Sequence, residues 1–251
     1  MGDRSLADKR IVVVGASAGI GRAFAVRAGK EGARLVLAAR RGDRLADVIA
    51  EAGGGTAVVG DIRDAADRGR IADVARESLT QIDMLFISAG YAPLAMMADT
   101  TEQHLLDVLQ INVIGVHQTI RACLPVLTPS AIVAVLSSDS VHCPHLALGA
   151  YSSSKAALER SLVSWRLEQP GYRFSCVEVG ATVPTDFTSA FDPELLGSAS
   201  AEWISRGLVP GTQMTPEGVA DVLAGIFAAA ADTPGVGLDH IVVKSPSAPM
   251  R

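Results

Sequence analysis

The stretch Ile11–Ala25, IVVVGASAGIGRAFA, decides how the rest of the chain is read. Four apolar residues, three of them valine, form a strand-like run, and Gly15 ends it. Gly19 and Gly21 follow at GxxxGxG spacing, and an amphipathic helical pattern then begins. Glycines in such a turn let the backbone bend tightly and approach a ligand closely. The free N–H groups at the start of the following helix then face an anion. A strand, a glycine turn and a helix so near the start of a chain point to the pyrophosphate of a dinucleotide, with Gly15, Ser17, Gly19, Ile20 and Gly21 against it.

Outward from this turn the pattern repeats. Strand candidates are Arg10–Val14, Ala33–Ala38, Thr56–Gly60, Met84–Ile87, Ala131–Ser137, Arg173–Val179 and His240–Lys244. Helical patterns fill 19–31, 42–52, 63–80, 101–127, 150–169 and 215–231. Apolar strands alternating with helices predict an α/β, Rossmann-like doubly wound parallel sheet of about seven strands, flanked by helices on both sides. With no repeat and no linker-like tract, residues 1–251 read as a single domain. The segment 184–215 breaks the alternation and is read as a lid over a substrate.

Composition excludes several functions. At 49% hydrophobic residues the chain can bury a sizeable core, but its apolar runs are too short to cross a membrane. A formal charge of −5, with no run of Lys or Arg, argues against nucleic acid. Cys123, Cys143 and Cys176 are widely spaced, with no metal-ligand pattern, and they cannot all pair. No metal is expected, and a reducing, cytoplasmic setting is.

The end of the second strand bears on the choice of dinucleotide. NAD sites usually carry an acid there to hold the ribose 2′-hydroxyl. This chain has Ala38, Ala39, Arg40 and Arg41 instead. Guanidinium groups match a 2′-phosphate in charge and shape, so NADP(H) is expected over NAD(H), with Arg40 first and Arg41 as the alternative. Asp61, after the third strand, is expected to cap the next helix and to lie near the adenine.

Tyr151 and Lys155, in AYSSSKAAL, are one helical turn apart on one face. With 3 Tyr in 251 residues, a chance Tyr-x3-Lys is expected roughly 0.05 times. A nearby ammonium lowers a phenol's pKa, which would let tyrosine exchange a proton with a carbonyl/alcohol pair while a nicotinamide carries the hydride.

Together, GASAGIG, QINVIGV, VLSSDS and YSSSK resemble the short, single-domain branch of the short-chain dehydrogenase/reductases over nearly the whole chain. The resemblance implies Tyr151 as general acid/base and Lys155 as its electrostatic partner and ribose ligand. Ser138 would bind the substrate oxygen, with Ser137 as its rival. Asn112 would sit at a helix bend and hold a water in a proton relay. Ala89 and Gly90 would run beside the cofactor, although Ile87-Ser88 replaces the usual Asn-Asn before them. Gly180 follows Val179 where Pro-Gly is usual, and Thr182 or Thr185 would contact the cofactor. The resemblance also implies a homodimer or homotetramer, pairing through 101–127 and 150–169 with Ala157, Leu158, Leu162 and Trp165 as contact surface. The expected activity is oxidoreduction of a small, partly apolar carbonyl or secondary alcohol. The alternative is a dinucleotide-binding redox sensor or regulator without turnover.

Overall fold

A computed structural model describes residues 4–246. Seven parallel strands form one sheet in the order β3-β2-β1-β4-β5-β6-β7. They are β1 (Arg10–Val14), β2 (Arg34–Ala39), β3 (Thr56–Val59), β4 (Ile82–Ile87), β5 (Leu127–Ser138), β6 (Arg173–Val179) and β7 (His240–Val243). The helices are α1 (Gly19–Lys30), α2 (Gly42–Ala52), α3 (Ala65–Leu79), α4 (Glu102–Leu109), α5 (Val116–Cys123), α6 (Gly149–Glu168), α7 (Pro193–Ser205) and α8 (Pro216–Ala231). Among the described residues, no helix is long and apolar enough to cross a membrane.

Alternation along β1 explains why its run is apolar throughout. Ile11 and Val13 point into one core, shared with α1, α2 and α8. Val12 and Val14 point into the other, shared with α3, α5 and α6. In the first core Phe24 of α1 stacks on Phe86 of β4 at 4.1 Å, and Phe227 of α8 meets both edge-on. The chain winds one way from β1 to β3 and the other way from β4 to β7. A crevice therefore opens beyond the carboxyl ends of β1 and β4, where such sheets bind ligands.

Three expectations are corrected here. The helical pattern at 101–127 is not one helix. It splits into α4, a wider π turn at Gln110–Gly115, α5 and a 3₁₀ turn at Leu124–Val126, after which β5 starts at Leu127. Ile82 pairs with Leu127 and Met84 with Ile132, so Thr128–Ala131 form an irregular bulge that sequence periodicity does not show. Second, Asp64 and not Asp61 caps α3, accepting from the N–H groups of Ala66 and Asp67. Third, Leu158 and Leu162 are buried in the second core and Trp165 stacks on Phe174, so these three face inward. On α6 Ala157 is exposed as expected, and the larger exposed apolar residues are Val163 and Leu167.

Candidate active site

The glycine turn is shaped by crowding. Gly15 has φ +86°, and a Cβ there would lie 2.6 Å from the Ala89 backbone nitrogen. At Gly21 a Cβ would lie 2.4 Å from the Gly15 carbonyl oxygen. Neither contact is possible for a side chain, so β1 and the segment after β4 close up only because both positions are glycine. A Cβ on Gly19, at φ +53°, would lie 3.7 Å from Thr185 Cγ2. Ile20 packs at the margin of the first core.

Ser17 leads to the second group. Its Oγ accepts from Arg41 Nε and Nη2 at 3.3 and 3.1 Å. Arg41 Nη1 and Arg44 Nη1 also donate to Asp186 Oδ2, at 2.5 and 2.6 Å. The bond from Arg41 holds the Asp186 carboxyl below its usual range, outweighing the opposing effect of burial. Ser17, Gly19, Arg44, Thr185 and Asp186 line a cavity of about 450 Å³. Arg40 lies apart from this cluster, close enough for its charge to act on Asp61. Burial works to raise the Asp61 carboxyl, but bonds from Arg63 and the charges of Arg63 and Arg40 hold it below its usual range. Of the two arginines, Arg41 is the one beside the glycine turn.

The third group sits on α6. Tyr151 and Lys155 share a face and are buried, 8% and 4% exposed. Lys155 Nζ donates to the Leu136 carbonyl at 2.7 Å and stands 5.9 Å from the Tyr151 ring centroid. Burial pulls Lys155 down to about 8, against the charges of Cys176 and Glu159. Burial also pushes the Tyr151 phenol up to about 12, against a hydrogen bond with Ser138, and the charge of Asp139 adds to the rise. The expectation that Lys155 lowers the phenol's pKa is therefore not met in this geometry. Its ammonium faces a carbonyl, and desolvation dominates.

The neighbouring serines divide cleanly. Ser137 donates to Glu159 at 2.5 Å, on the far side of the strand end. Ser138 faces Tyr151 and accepts from the Ser140 N–H. Asn112 is fully buried in the π turn. Its Oδ1 accepts from Tyr91 N at 2.8 Å, and its Nδ2 donates to Tyr91 O and Ser154 Oγ. A Cβ on Gly90 would lie 3.6 Å from Asn112 Oδ1 and 3.7 Å from Lys155 Nζ, which places Gly90 between them. Gly180 bonds β7 through its N–H to Val243 O, and Thr182 donates to Gly180 O while bridging to Met214. Thr185 is the threonine that lies over the glycine turn.

Residues 184–205 cover this group. Phe187 meets the Tyr151 ring edge-on at 5.2 Å, and Phe191 meets Phe187 at 5.4 Å. Ala92, Leu148 and Phe191 bury Tyr151, with Leu196 and Trp203 packed against them. His145 rests on Trp203, whereas His142 turns toward Glu159 and Glu178. Sequence reading missed Arg44, Asp186 and Ser154. Arg44 had a visible signal, one turn beyond Arg41 on a predicted helix. Asp186 had none, because it arrives from 145 residues away.

The profile of the family described as short chain dehydrogenase matches residues 9–195. The chain belongs to the short chain dehydrogenase family. As a member it is an oxidoreductase acting on CH–OH/C=O groups, with a Rossmann-like fold that binds NAD(P). Among relatives, "Dehydrogenase/reductase SDR family member 2, mitochondrial" of Homo sapiens is 32% identical over 195 residues, 74% of this chain and 69% of that one. A glycine betaine reductase of Emericella nidulans is 33% identical over 227 residues. Those residues are 86% of this short chain dehydrogenase but 17% of the relative's length. A solved dehydrogenase/reductase from Sinorhizobium meliloti has a TM-score of 0.81 at 27% identity, covering 96% of this chain and 95% of that one.

Proposed function

We propose that this short chain dehydrogenase interconverts a carbonyl and a secondary alcohol with NADP(H), and that Tyr151 is its general acid/base. The observation that carries the reading is one set at the strand ends, buried Tyr151 and Lys155 with half-buried Ser138, and a glycine cradle and an arginine–serine pair farther along the same crevice. The cradle suits a pyrophosphate, since glycine at 15 and 21 lets the turn close tightly at the N-terminus of α1. Arg41 and Ser17, with no acid at the end of β2, suit a 2′-phosphate. Bound NADPH supplies the hydride.

The residues of the chain supply the rest. Ser138 holds the substrate oxygen beside the phenol. In reduction Tyr151 gives its proton to that oxygen, and a phenol raised to about 12 is fully protonated and ready to do so. Lys155 exchanges the Leu136 carbonyl for ribose hydroxyls, bringing positive charge toward the phenol as catalysis requires. Asn112 holds the segment after β4 in place by gripping both polar atoms of the Tyr91 backbone. Residues 184–215 act as the lid, and Phe187, Phe191 and Trp203 favour a substrate that is apolar in part. The whole chain works as one catalytic domain in the cytoplasm. It assembles as a homodimer or homotetramer through the exposed apolar residues of α4 and α6, Leu106 and Leu167 among them.

Tyr151→Phe tests the mechanism. Turnover of ketones, aldehydes, quinones or 3-oxoacyl thioesters should fall ~10²–10⁴-fold, with NADPH affinity nearly unchanged. Full activity in the folded variant would remove Tyr151 from the chemistry. NADPH binding by wild type without turnover of any of these classes would favour a sensor.

A further inference from the structure

A second cluster of reactive side chains lies along the carboxyl half of β6, three strands across the sheet from the glycine turn and on the face that α6 covers. Cys176 of β6 and His240 of β7 are register partners, so their side chains leave adjacent strands on the same side. Glu178, two residues after Cys176, shares that side and is fully buried. Glu159 reaches down from α6, one helical turn beyond Lys155. The donor atoms of Glu159, Cys176 and His240 all lie within 4.8 Å of one another. His142, from the loop after β5, places Nε2 3.5 Å from Glu159 Oε2 and 3.7 Å from Glu178 Oε2. His240 Nε2 is 3.3 Å from Glu178 Oε2.

These separations are informative. They exceed the usual N–H···O range of ~2.7–3.2 Å. The imidazole–carboxylate separations match the edges of a tetrahedron around a zinc-sized ion, whose bonds of ~2.0–2.3 Å set neighbouring donors ~3.3–3.8 Å apart, and the Cys176 donor lies within 4.8 Å of those of Glu159 and His240. We propose that Glu159, Cys176 and His240 bind a divalent transition-metal ion of the zinc class, with Glu178 as the fourth donor and His142 beside the two carboxylates.

Donor chemistry selects the ion. A thiolate and an imidazole beside carboxylates favour zinc or cobalt over magnesium or calcium, which take oxygen donors. Outer contacts of the kind metal ligands need are present. Ser137 donates to Glu159, and Lys244 Nζ stands 3.3 Å from Glu178 Oε1. An entry path exists through the histidines, since the His240 and His142 side chains are 42% and 38% exposed while Cys176 is buried. When the ion binds, a metal–sulfur bond forms, the Cys176 S–H bond breaks and its proton leaves to solvent. Glu159 is eight residues from Tyr151 along α6, about 12 Å at the usual rise. The ion is therefore structural. It pins edge strand β7 and β6 to the helix that carries Tyr151 and Lys155.

The test uses the full chain, stripped with a chelator and titrated with Co²⁺ in the absence of NADPH. One Co²⁺ per chain should bind, with tetrahedral visible bands and a near-ultraviolet thiolate-to-cobalt band, and the thermal midpoint should rise. Cys176→Ser should abolish the thiolate band, and His240→Ala should weaken binding at least ~10-fold. Cys143→Ser and His104→Ala should titrate like wild type. Circular dichroism confirms that each variant is folded. Failure of wild type to bind Co²⁺ saturably, or an unchanged thiolate band in Cys176→Ser, would overturn the site. Neither result would bear on the Tyr151 mechanism, because no turnover is measured.

Discussion

The crevice has two walls built on opposite principles. The glycine turn is fixed by backbone meeting backbone at Gly15, Gly21 and Ala89, with no room for a single added carbon. The facing wall, residues 184–205, is held by side-chain tips: Asp186 on Arg41 and Arg44, and Phe187 on Tyr151. The Arg41, Arg44 and Asp186 side chains are each 40% or more exposed, so water competes for their bonds. One wall is set by excluded volume and cannot yield without unfolding. The other is set by contacts that can be exchanged for those of a ligand. Rigidity belongs where every turnover binds the same dinucleotide, and exchangeability where substrate must enter and leave.

The largest expected effect breaks the rigid wall. Gly15→Ala adds a carbon against Ala89 at positive φ, so stability should drop by ~3 kcal/mol or more in denaturant unfolding. A variant as stable as wild type would show that this wall yields as well. Arg41→Ala acts where the walls meet. It should weaken NADPH ~10- to 100-fold in titration while NADH barely changes. Arg40→Ala should do less, since Arg40 lies toward Asp61. Equal losses for the two cofactors would remove the 2′-phosphate contact.

The next effect is on pH dependence. The covering wall dries Tyr151 and holds its phenol near 12, so below that pH the proton is in place. Alcohol oxidation needs the ionised phenol and should rise up to ~10-fold per pH unit between about pH 6 and 7.5, below the value of about 8 at which Lys155 loses its charge, while carbonyl reduction stays flat. Oxidation that is flat over the same range would assign the base to another group. The smallest effect sharpens the contrast. Asp186→Asn removes the carboxylate that Arg41 and Arg44 hold in the free protein. An exposed ion pair is worth ~0.2–1 kcal/mol, so NADPH should bind up to ~5-fold tighter. Weaker NADPH binding would mean that Asp186 orders the site rather than competing for it.

The two walls also differ in how well the sequence announces them. The rigid wall is local: a strand, a turn and a helix in fifteen consecutive residues, whose glycine spacing states the crowding before any contact is seen. Tyr151 and Lys155 are legible for the same reason, since one helix fixes their relation. The exchangeable wall is not. Asp186 meets Arg41 across 145 residues of sequence, and no periodicity encodes which loop carboxylate a guanidinium finds. The direction of the Tyr151 pKa was misread on similar grounds. Spacing shows a lysine one turn away, but not the Leu136 carbonyl that takes its proton donors or the aromatic cover that removes water. The Cys176 cluster gathers residues from one loop, one helix and two strands, so cysteine spacing could not reveal it.

The π turn at Gln110–Gly115 carries a consequence for the length of the chain. Such a turn holds one residue more than an α-helix would place in the same span. Each residue of an α-helix rotates the next by about 100°. A chain one residue shorter here would close into regular helix over the same span and leave everything downstream in phase. Val116, Ile120 and Cys123 would stay in the second core, but Asn112, inside the turn, would lose its grip on Tyr91. The extra residue therefore serves the placement of Asn112 and not the packing of α5, so a deletion here costs the site while sparing the fold.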